Sequence, residues 1–360
     1  MTSDPSGPHP AIPTASDAAA RKKGIPMTAM LAALSAATFL CGAAGLTIAT
    51  AQDGSPATLP DLPAPRIQEP IIPLPQSIEL DGRKVLLGRR LFTDSRLSSG
   101  NGLSCASCHQ PALGMADGKP VSSGLPHYEG VVNTLTVLNV GFNTKFSWSG
   151  QTLSLEEQAD KVIENKRTMG GRWETVLSDL SADSGLTTAF GRIYADGLTR
   201  KNVVDAIAEY EKSLVTPNAP FDRFLRGETD AIGEDAKAGY RIFKDYGCIS
   251  CHQGVNVGGN MLQVFGIFGT PTSATDGANT AGAAQGSGIA DDKPVFRVPS
   301  LRNVAQTAPY FHDGSARSLR EAISMMAQYQ LGREISDGDV SKIESFLDSL
   351  SGDPPLPPVN

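Results

Sequence analysis

Cysteine and histidine are scarce, five of each in 360 residues, and tryptophan occurs only twice. Positive charge is also in short supply. The chain has 31 lysines and arginines against 38 acidic residues, a formal net charge of −7. A protein that grips nucleic acid through its phosphates needs the opposite balance, so no nucleic-acid partner is expected. Only one long hydrophobic run is present, near the N-terminus, which excludes a polytopic membrane protein. An apolar content of 40% excludes a wholly disordered chain. Alternating strand patterns are few, whereas helical periodicity recurs along the chain.

Residues 1–23 are polar and end in Arg21-Lys22-Lys23, and residues 25–51 carry no charge and close with Ala49-Thr50-Ala51. Positive charge, an apolar stretch and small residues, in that order, describe an export signal. Residues 1–51 therefore read as a signal peptide, or as an N-terminal membrane anchor if uncleaved, since the run is long enough to span a bilayer. Cys41 lies within it after Leu40, where a lipid-modified cysteine would follow a small residue, so it reads as one more apolar residue. The remainder, with a net charge of about −8, is expected outside the cytoplasm. Residues 52–76 hold seven prolines and read as an extended linker or wrapping arm.

The body beyond residue 77 is read as all-α with long loops. Helices are predicted over Gly82–Phe92, Ser154–Glu164, Asn202–Leu214 and Ala236–Tyr246, from Ser318 through Met326, and through Val340, Ile343, Phe346 and Leu350. Ser154 with Glu157 and Ser318 with Glu321 have the spacing of capping boxes. Gln253 to Asp292, rich in Gly, Ala, Thr and Ser, reads as a loop long enough to need a reason, and wrapping a large cofactor is one. Pro217 and Pro220 mark a boundary between two similar lobes, residues 77–228 and 229–360.

Four of the five cysteines form two C-x-x-C-H motifs, Cys105-Ala-Ser-Cys108-His109 and Cys248-Ile-Ser-Cys251-His252. Each thiol of such a pair adds to one vinyl group of a haem, and the next histidine turns under the ring to ligate iron. The alternatives are a zinc site, which would need both pairs on one metal and leave the histidines unexplained, or a redox-active thiol pair, which needs neither histidine. Two covalent haem c groups, with His109 and His252 as proximal ligands, are therefore expected. The ligand on the opposite face of each then decides between electron transfer and small-molecule chemistry.

Around these motifs the sequence resembles the bacterial di-haem cytochrome c peroxidase family over about residues 77–352. The resemblance is carried by Leu87-Gly-Arg-Arg-Leu-Phe92, Asn133-Thr-Leu-Thr-Val-Leu-Asn139, Trp148 with Leu155-Glu-Glu-Gln-Ala159, and Val298-Pro-Ser-Leu-Arg-Asn303 running into Thr307-Ala-Pro-Tyr-Phe-His-Asp-Gly314. It implies two cytochrome c-like domains, each holding one haem. It also implies periplasmic reduction of hydrogen peroxide to water, with electrons from a small c-type cytochrome or cupredoxin, and it allows a homodimer. Position by position, Met326 stands as the second ligand of the C-terminal iron, with Met325 as its rival. His127 stands as a loop ligand that leaves the N-terminal iron on reduction, Trp148 as the relay between haems, and Gln158 as a polar residue of the peroxide pocket. Asn133, Thr307 and Pro309 match a calcium site. A related maturation enzyme of methylamine metabolism has tyrosine where Met326 stands, which favours the peroxidase. One departure is Thr168, which replaces the family's glutamate and cannot act as a carboxylate acid or base, so that either Gln158, Glu164 and water take over the proton transfer or peroxidase turnover is poor. The competing functions are a non-catalytic di-haem electron carrier and a di-haem enzyme oxidising residues of a partner protein.

Overall fold

Ten α-helices and one small sheet are seen in the computed structural model, which describes residues 69–125, 132–269 and 294–353. These residues all belong to one unit, Pro65–Asn360. The helices are α1 (Gly82–Phe92), α2 (Cys105–Cys108), α3 (Leu155–Glu164), α4 (Trp173–Ser181), α5 (Ser184–Ile193), α6 (Arg200–Ser213), α7 (Pro220–Leu225), α8 (Glu234–Tyr246), α9 (Leu319–Met325) and α10 (Asp337–Asp348). A two-stranded antiparallel sheet pairs β1 (Leu262–Val264) with β2 (Val295–Arg297). Among the described residues no helix is long and apolar enough to cross a membrane.

The helix starts follow from side-chain capping, in which an oxygen accepts an otherwise unpaired backbone N–H. Asp81, Ser154, Asp183, Thr199, Ser318 and Ser336 cap α1, α3, α5, α6, α9 and α10. The capping box at α9 is complete. At α3 the Glu157 carboxylate instead accepts from Leu153 N. With Thr199 as its cap, α6 starts at Arg200, two residues before the predicted Asn202. Helices α4, α5 and α7 and strand β1, which falls inside the predicted long loop, depart from the sequence expectation.

Two hydrophobic cores form. The first gathers Leu91 and Phe92 of α1, Ile163 of α3, Leu180 of α4, Phe190 of α5 and Ile207 of α6. The second centres on Phe221, Tyr240 and Phe346, whose rings lie 4.8 to 5.1 Å apart, with Phe243 5.2 Å from Phe346. Each core contains one close helix crossing made possible by glycine. A Cβ on Gly88 of α1 would collide with the Ala206 carbonyl of α6, and one on Gly239 of α8 with the Lys342 carbonyl of α10.

The likeness of the two halves extends residue by residue. Asn139 and Asn303, separated by 164 positions, both adopt left-handed φ (58° and 59°) and each opens a 3-10 turn. At the same offset the bridge Phe146↔Thr152 matches Tyr310↔Ala316, and left-handed Ser147 and Gly150 match Phe311 and Gly314. The Ser154 cap of α3 likewise matches the Ser318 cap of α9. Asn139 and Asn303 meet directly. Asn139 Nδ2 donates to Asn303 Oδ1 at 3.3 Å, and the Thr216 hydroxyl between them donates to Asn303 Oδ1 at 2.9 Å. All three side chains are buried, and the remaining amide of the trio, Asn303 Nδ2, donates to Gly352 O at 2.7 Å.

Residues 69–75 pack on the second core although they precede α1. Ile71 bridges Gly254, and Glu69 accepts from the Tyr240 hydroxyl at 2.6 Å. Arg302, wholly buried, donates to Ile72 O at 3.0 Å and pairs with buried Asp222 at 2.9 Å.

Candidate haem sites

In α2 the backbone turns through Cys105 and Cys108, three residues apart and therefore on one face of the helix. Reciprocal hydrogen bonds between Ser104 and Ser107 cap that turn. His109 leaves the helix (φ −102°, ψ 78°) and lies within a ring contact of Phe92, with centroids 6.1 Å apart. Its Nδ1 sits 3.1 Å from the Met115 carbonyl, held out by left-handed Gly114 and Met115. A carbonyl only accepts, so Nδ1 carries the proton and Nε2 keeps a free lone pair. Burial holds the ring neutral by lowering its pKa.

The second motif repeats this chemistry in a 3-10 turn, Cys248–Ser250. His252 Nδ1 lies 3.4 Å from the carbonyl of Val257, again a left-handed residue, and Phe243 lies 6.4 Å from the ring. Burial pulls the His252 pKa down to about 4. An imidazole oriented through one nitrogen with the other free is the arrangement of a metal-ligating histidine. All four cysteines are free. Burial pushes the Cys248 thiol up to about 11 and also raises that of Cys105, so neither is a thiolate at neutral pH, which disfavours a redox thiol pair. Among the described residues no three of His, Cys, Asp or Glu converge on a metal position.

A mainly apolar chamber opens beside His252. Cys248, Cys251, Met326, Trp148 and Arg297 all contribute to its wall. Met326 sits where α9 gives way to a π-helical turn, Met326–Gln330, while Met325 does not line the chamber. Two thiols, a neutral imidazole and a thioether around one apolar chamber fit a covalently attached haem with a thioether as its second axial ligand. In the first half, the residue at the duplicated offset from Met326 is Val162 of α3, which has no ligand atom. His127 lies outside the described residues.

Trp148 is buried. Its Nε1 donates to Asn133 O at 2.8 Å, and its ring meets Phe296 and His312 edge-on at 6.1 and 6.3 Å. His312 occupies the matching position of the second half and stacks on Phe296 at 4.4 Å. Asn133 and Pro309 are brought together: Asn133 Nδ2 donates to the carbonyls of Lys119 and Pro309, at 2.8 and 3.3 Å. A cation there would need the amide turned over, with Oδ1 toward those carbonyls. The Thr307 hydroxyl donates its proton to Val304 O and keeps its lone pairs, so its oxygen as well as the Thr307 carbonyl could serve.

Gln158 Oε1 accepts from the Thr152 hydroxyl at 2.6 Å. The Thr168 hydroxyl turns back on the end of α3, bonded to Val162 O and Asn165 O. Glu164 is exposed and paired with Arg200 at 2.9 Å, so it is not placed to replace the absent glutamate. A carboxyl the sequence did not single out is Glu211 of α6. Burial and the charge of Glu156 push its pKa up to about 8, and it is close enough to Cys105 to raise that thiol further.

The profile of the di-haem cytochrome c peroxidases matches residues 82–230. Cytochrome c551 peroxidase of Nitrosomonas europaea is 38% identical over 299 residues, covering 81% of this chain and 89% of that protein. Cytochrome c peroxidase Ccp of Escherichia coli is 39% identical over 290 residues, 79% of this chain; the match spans only 61% of that relative's length. A solved MauG-like protein associated with microbial copper homeostasis shares the fold, with a TM-score of 0.66 at 23% identity, over 82% of this chain and 96% of that one.

Proposed function

The chain belongs to the di-haem cytochrome c peroxidase family, and from that premise we propose that it reduces hydrogen peroxide to water in the periplasm, taking electrons from a small c-type cytochrome or cupredoxin. Residues 77–228 and 229–360 form two cytochrome c-like domains in this reading, which the two cores and the duplicated turns and caps support. Cys105 and Cys108 hold one haem through thioether bonds, and Cys248 and Cys251 hold the other. Bound there, haem supplies iron that exchanges single electrons and accepts a small ligand wherever an axial position is open.

The observation that carries the proposal is an asymmetry inside the duplication. The second half places a thioether, Met326, in the chamber of His252, and the first half places Val162 at the matching position. His252 and Met326 would hold a haem in the C-terminal chamber, and a haem held by an imidazole and a thioether would serve as an electron store. At the N-terminal site α3 offers Val162 where α9 offers Met326, and His127 is the residue proposed to bind that iron at rest and leave it on reduction. Trp148, buried and lining the C-terminal chamber, offers a polarisable ring between the sites. Gln158, fixed by Thr152, orients a polar ligand at the N-terminal site, and Glu211 is a protonated carboxyl near it. Asn133 with the carbonyls of Thr307 and Pro309 is the candidate calcium position.

The test is a visible spectrum of half-reduced protein together with a peroxide assay using a reduced small cytochrome. High-spin iron appearing on half-reduction, with peroxide consumed, supports the peroxidase. Iron that stays low-spin at both sites, with no peroxide consumed, supports an electron carrier instead.

A further inference from the structure

Each histidine of the two haem motifs is aimed by one backbone carbonyl, and the residue that offers it has an uncommon backbone. Met115 and Val257 have left-handed φ of 59° and 50°, which a β-branched valine rarely adopts. Their carbonyls lie 3.1 and 3.4 Å from the Nδ1 atoms of His109 and His252. Met115 follows its histidine by six residues and Val257 by five, so the two loops are not simple copies. They are nevertheless fastened alike. The Thr136 hydroxyl donates to Gly114 O at 2.6 Å and the Ser300 hydroxyl to Asn256 O at 2.7 Å, in each case the carbonyl just before the aiming one. Each hydroxyl accepts from the backbone N two residues on, Leu138 N at 3.0 Å and Arg302 N at 3.2 Å, and so keeps its proton for the loop. Thr136 and Ser300 stand 164 positions apart, the offset that relates Asn139 to Asn303. The carbonyls of Leu135 and Pro299, at the same offset, also act on the two rings. Ser300 alone has a second acceptor, Asn256 Oδ1 at 2.9 Å.

A local turn at Thr136 or Ser300 explains the bond each hydroxyl accepts. It does not explain the bond each donates, which reaches back 22 and 44 residues. Holding the Gly114 or Asn256 carbonyl fixes the peptide plane that leads into the left-handed residue, and with it the direction of the next carbonyl. We propose that Thr136 and Ser300 are positioning residues for His109 and His252: each hydroxyl latches the loop whose carbonyl takes the Nδ1 proton, and so sets how strongly the imidazole donates to iron. A firmer Nδ1–H···O bond makes the ring more basic and favours ferric iron. The inference rests on the haem reading above and fails separately from it. A wild type without covalent haem sinks that reading, whereas a haem-loaded protein indifferent to both hydroxyls sinks this one.

The experiment compares the wild-type di-haem protein with Thr136→Val and Ser300→Ala, which remove the hydroxyl, and with Thr136→Ser and Ser300→Thr, which keep it. Valine preserves the shape of Thr136, which also lines the chamber beside His252. Potentiometric titration reads both potentials, and proton NMR of protein carrying nitrogen-15 in its five histidines reads the two Nδ1 protons. Thr136→Val should favour reduction of the N-terminal site by about three- to tenfold, the worth of one hydrogen bond, and Ser300→Ala should do the same for the C-terminal site. The Nδ1 proton of the affected histidine should shift and exchange faster with solvent, while that of the other histidine stays put. Thr136→Ser and Ser300→Thr should keep the wild-type potentials and resonances. If one hydroxyl-free variant does not accumulate, the other decides. Lost stability with unchanged potentials and Nδ1 resonances overturns the proposal, as does an equal shift in the variants that keep the hydroxyl.

Discussion

Val162→Met copies the second half of the molecule into the first. Val162 and Met326 stand at the same distance from the capping serines Ser154 and Ser318, on helices that follow the same bridge and the same left-handed turns. Val162 is half-buried, so the longer side chain has room to leave the surface of the first core. A misfit would cost about 1–3 kcal/mol, which a folded domain survives. If the new thioether takes the open axial position with a preference of about 2.7 kcal/mol, only about 1% of molecules remain open, because each 1.36 kcal/mol is a factor of ten. The apparent reaction with peroxide then falls about 100-fold, in proportion to the competent fraction. Stopped-flow mixing of half-reduced protein with peroxide measures this directly, and the visible spectrum shows whether high-spin iron has turned low-spin. A folded Val162→Met protein with wild-type spectrum and wild-type rate would refute the equivalence of the two positions.

Met326→His should lower the potential of the C-terminal site markedly and leave peroxide binding at the other site intact, whereas Met325→His should do neither, since Met325 does not line the chamber; paired redox titrations check both. Glu211 takes up a proton on folding, because its pKa rises from an ordinary 4.5 to about 8. Stability should therefore fall as pH rises between those values, and Glu211→Gln should flatten that slope in chemical denaturation of the haem-loaded protein, leaving the variant the more stable above pH 8. Thr168→Glu restores a carboxylate where the family has one and should speed peroxide cleavage by about 10²-fold or more without moving either potential much. It also removes two hydrogen bonds to the end of α3, at about 1 kcal/mol of stability. An unchanged cleavage rate in stopped flow would mean that another group, with Gln158 or Glu211 the nearest candidates, already moves the proton.

Much of this was legible before any coordinates. Helix α1 matches the sequence reading end to end, and the serine caps of α3 and α9 sit where the capping-box spacing put them. The two haem motifs were legible because five cysteines and five histidines leave little room for coincidence. Helix α5 was missed because Gly185, Gly191 and two threonines make it a poor helix former by itself, and it forms by burying Leu186 and Phe190 completely. Strand β1 is three residues long in a glycine-rich stretch and exists through its pairing with β2. The roles of Asn139 and Asn303 depend on a contact across 164 residues, which no local pattern reveals. Arg297 did leave a trace, a charge set among Val295, Phe296 and Val298, all buried. Glu211, between Tyr210 and Lys212, left none.

The most direct measurement is peroxide turnover by half-reduced protein, followed at once by donor oxidation and by the spin state of iron. High-spin iron should appear when the C-terminal site alone is reduced, and two electrons should leave the donor for each peroxide converted to water. Low-spin iron at both sites, with donor oxidation independent of peroxide, would contradict an open N-terminal site and with it the peroxidase.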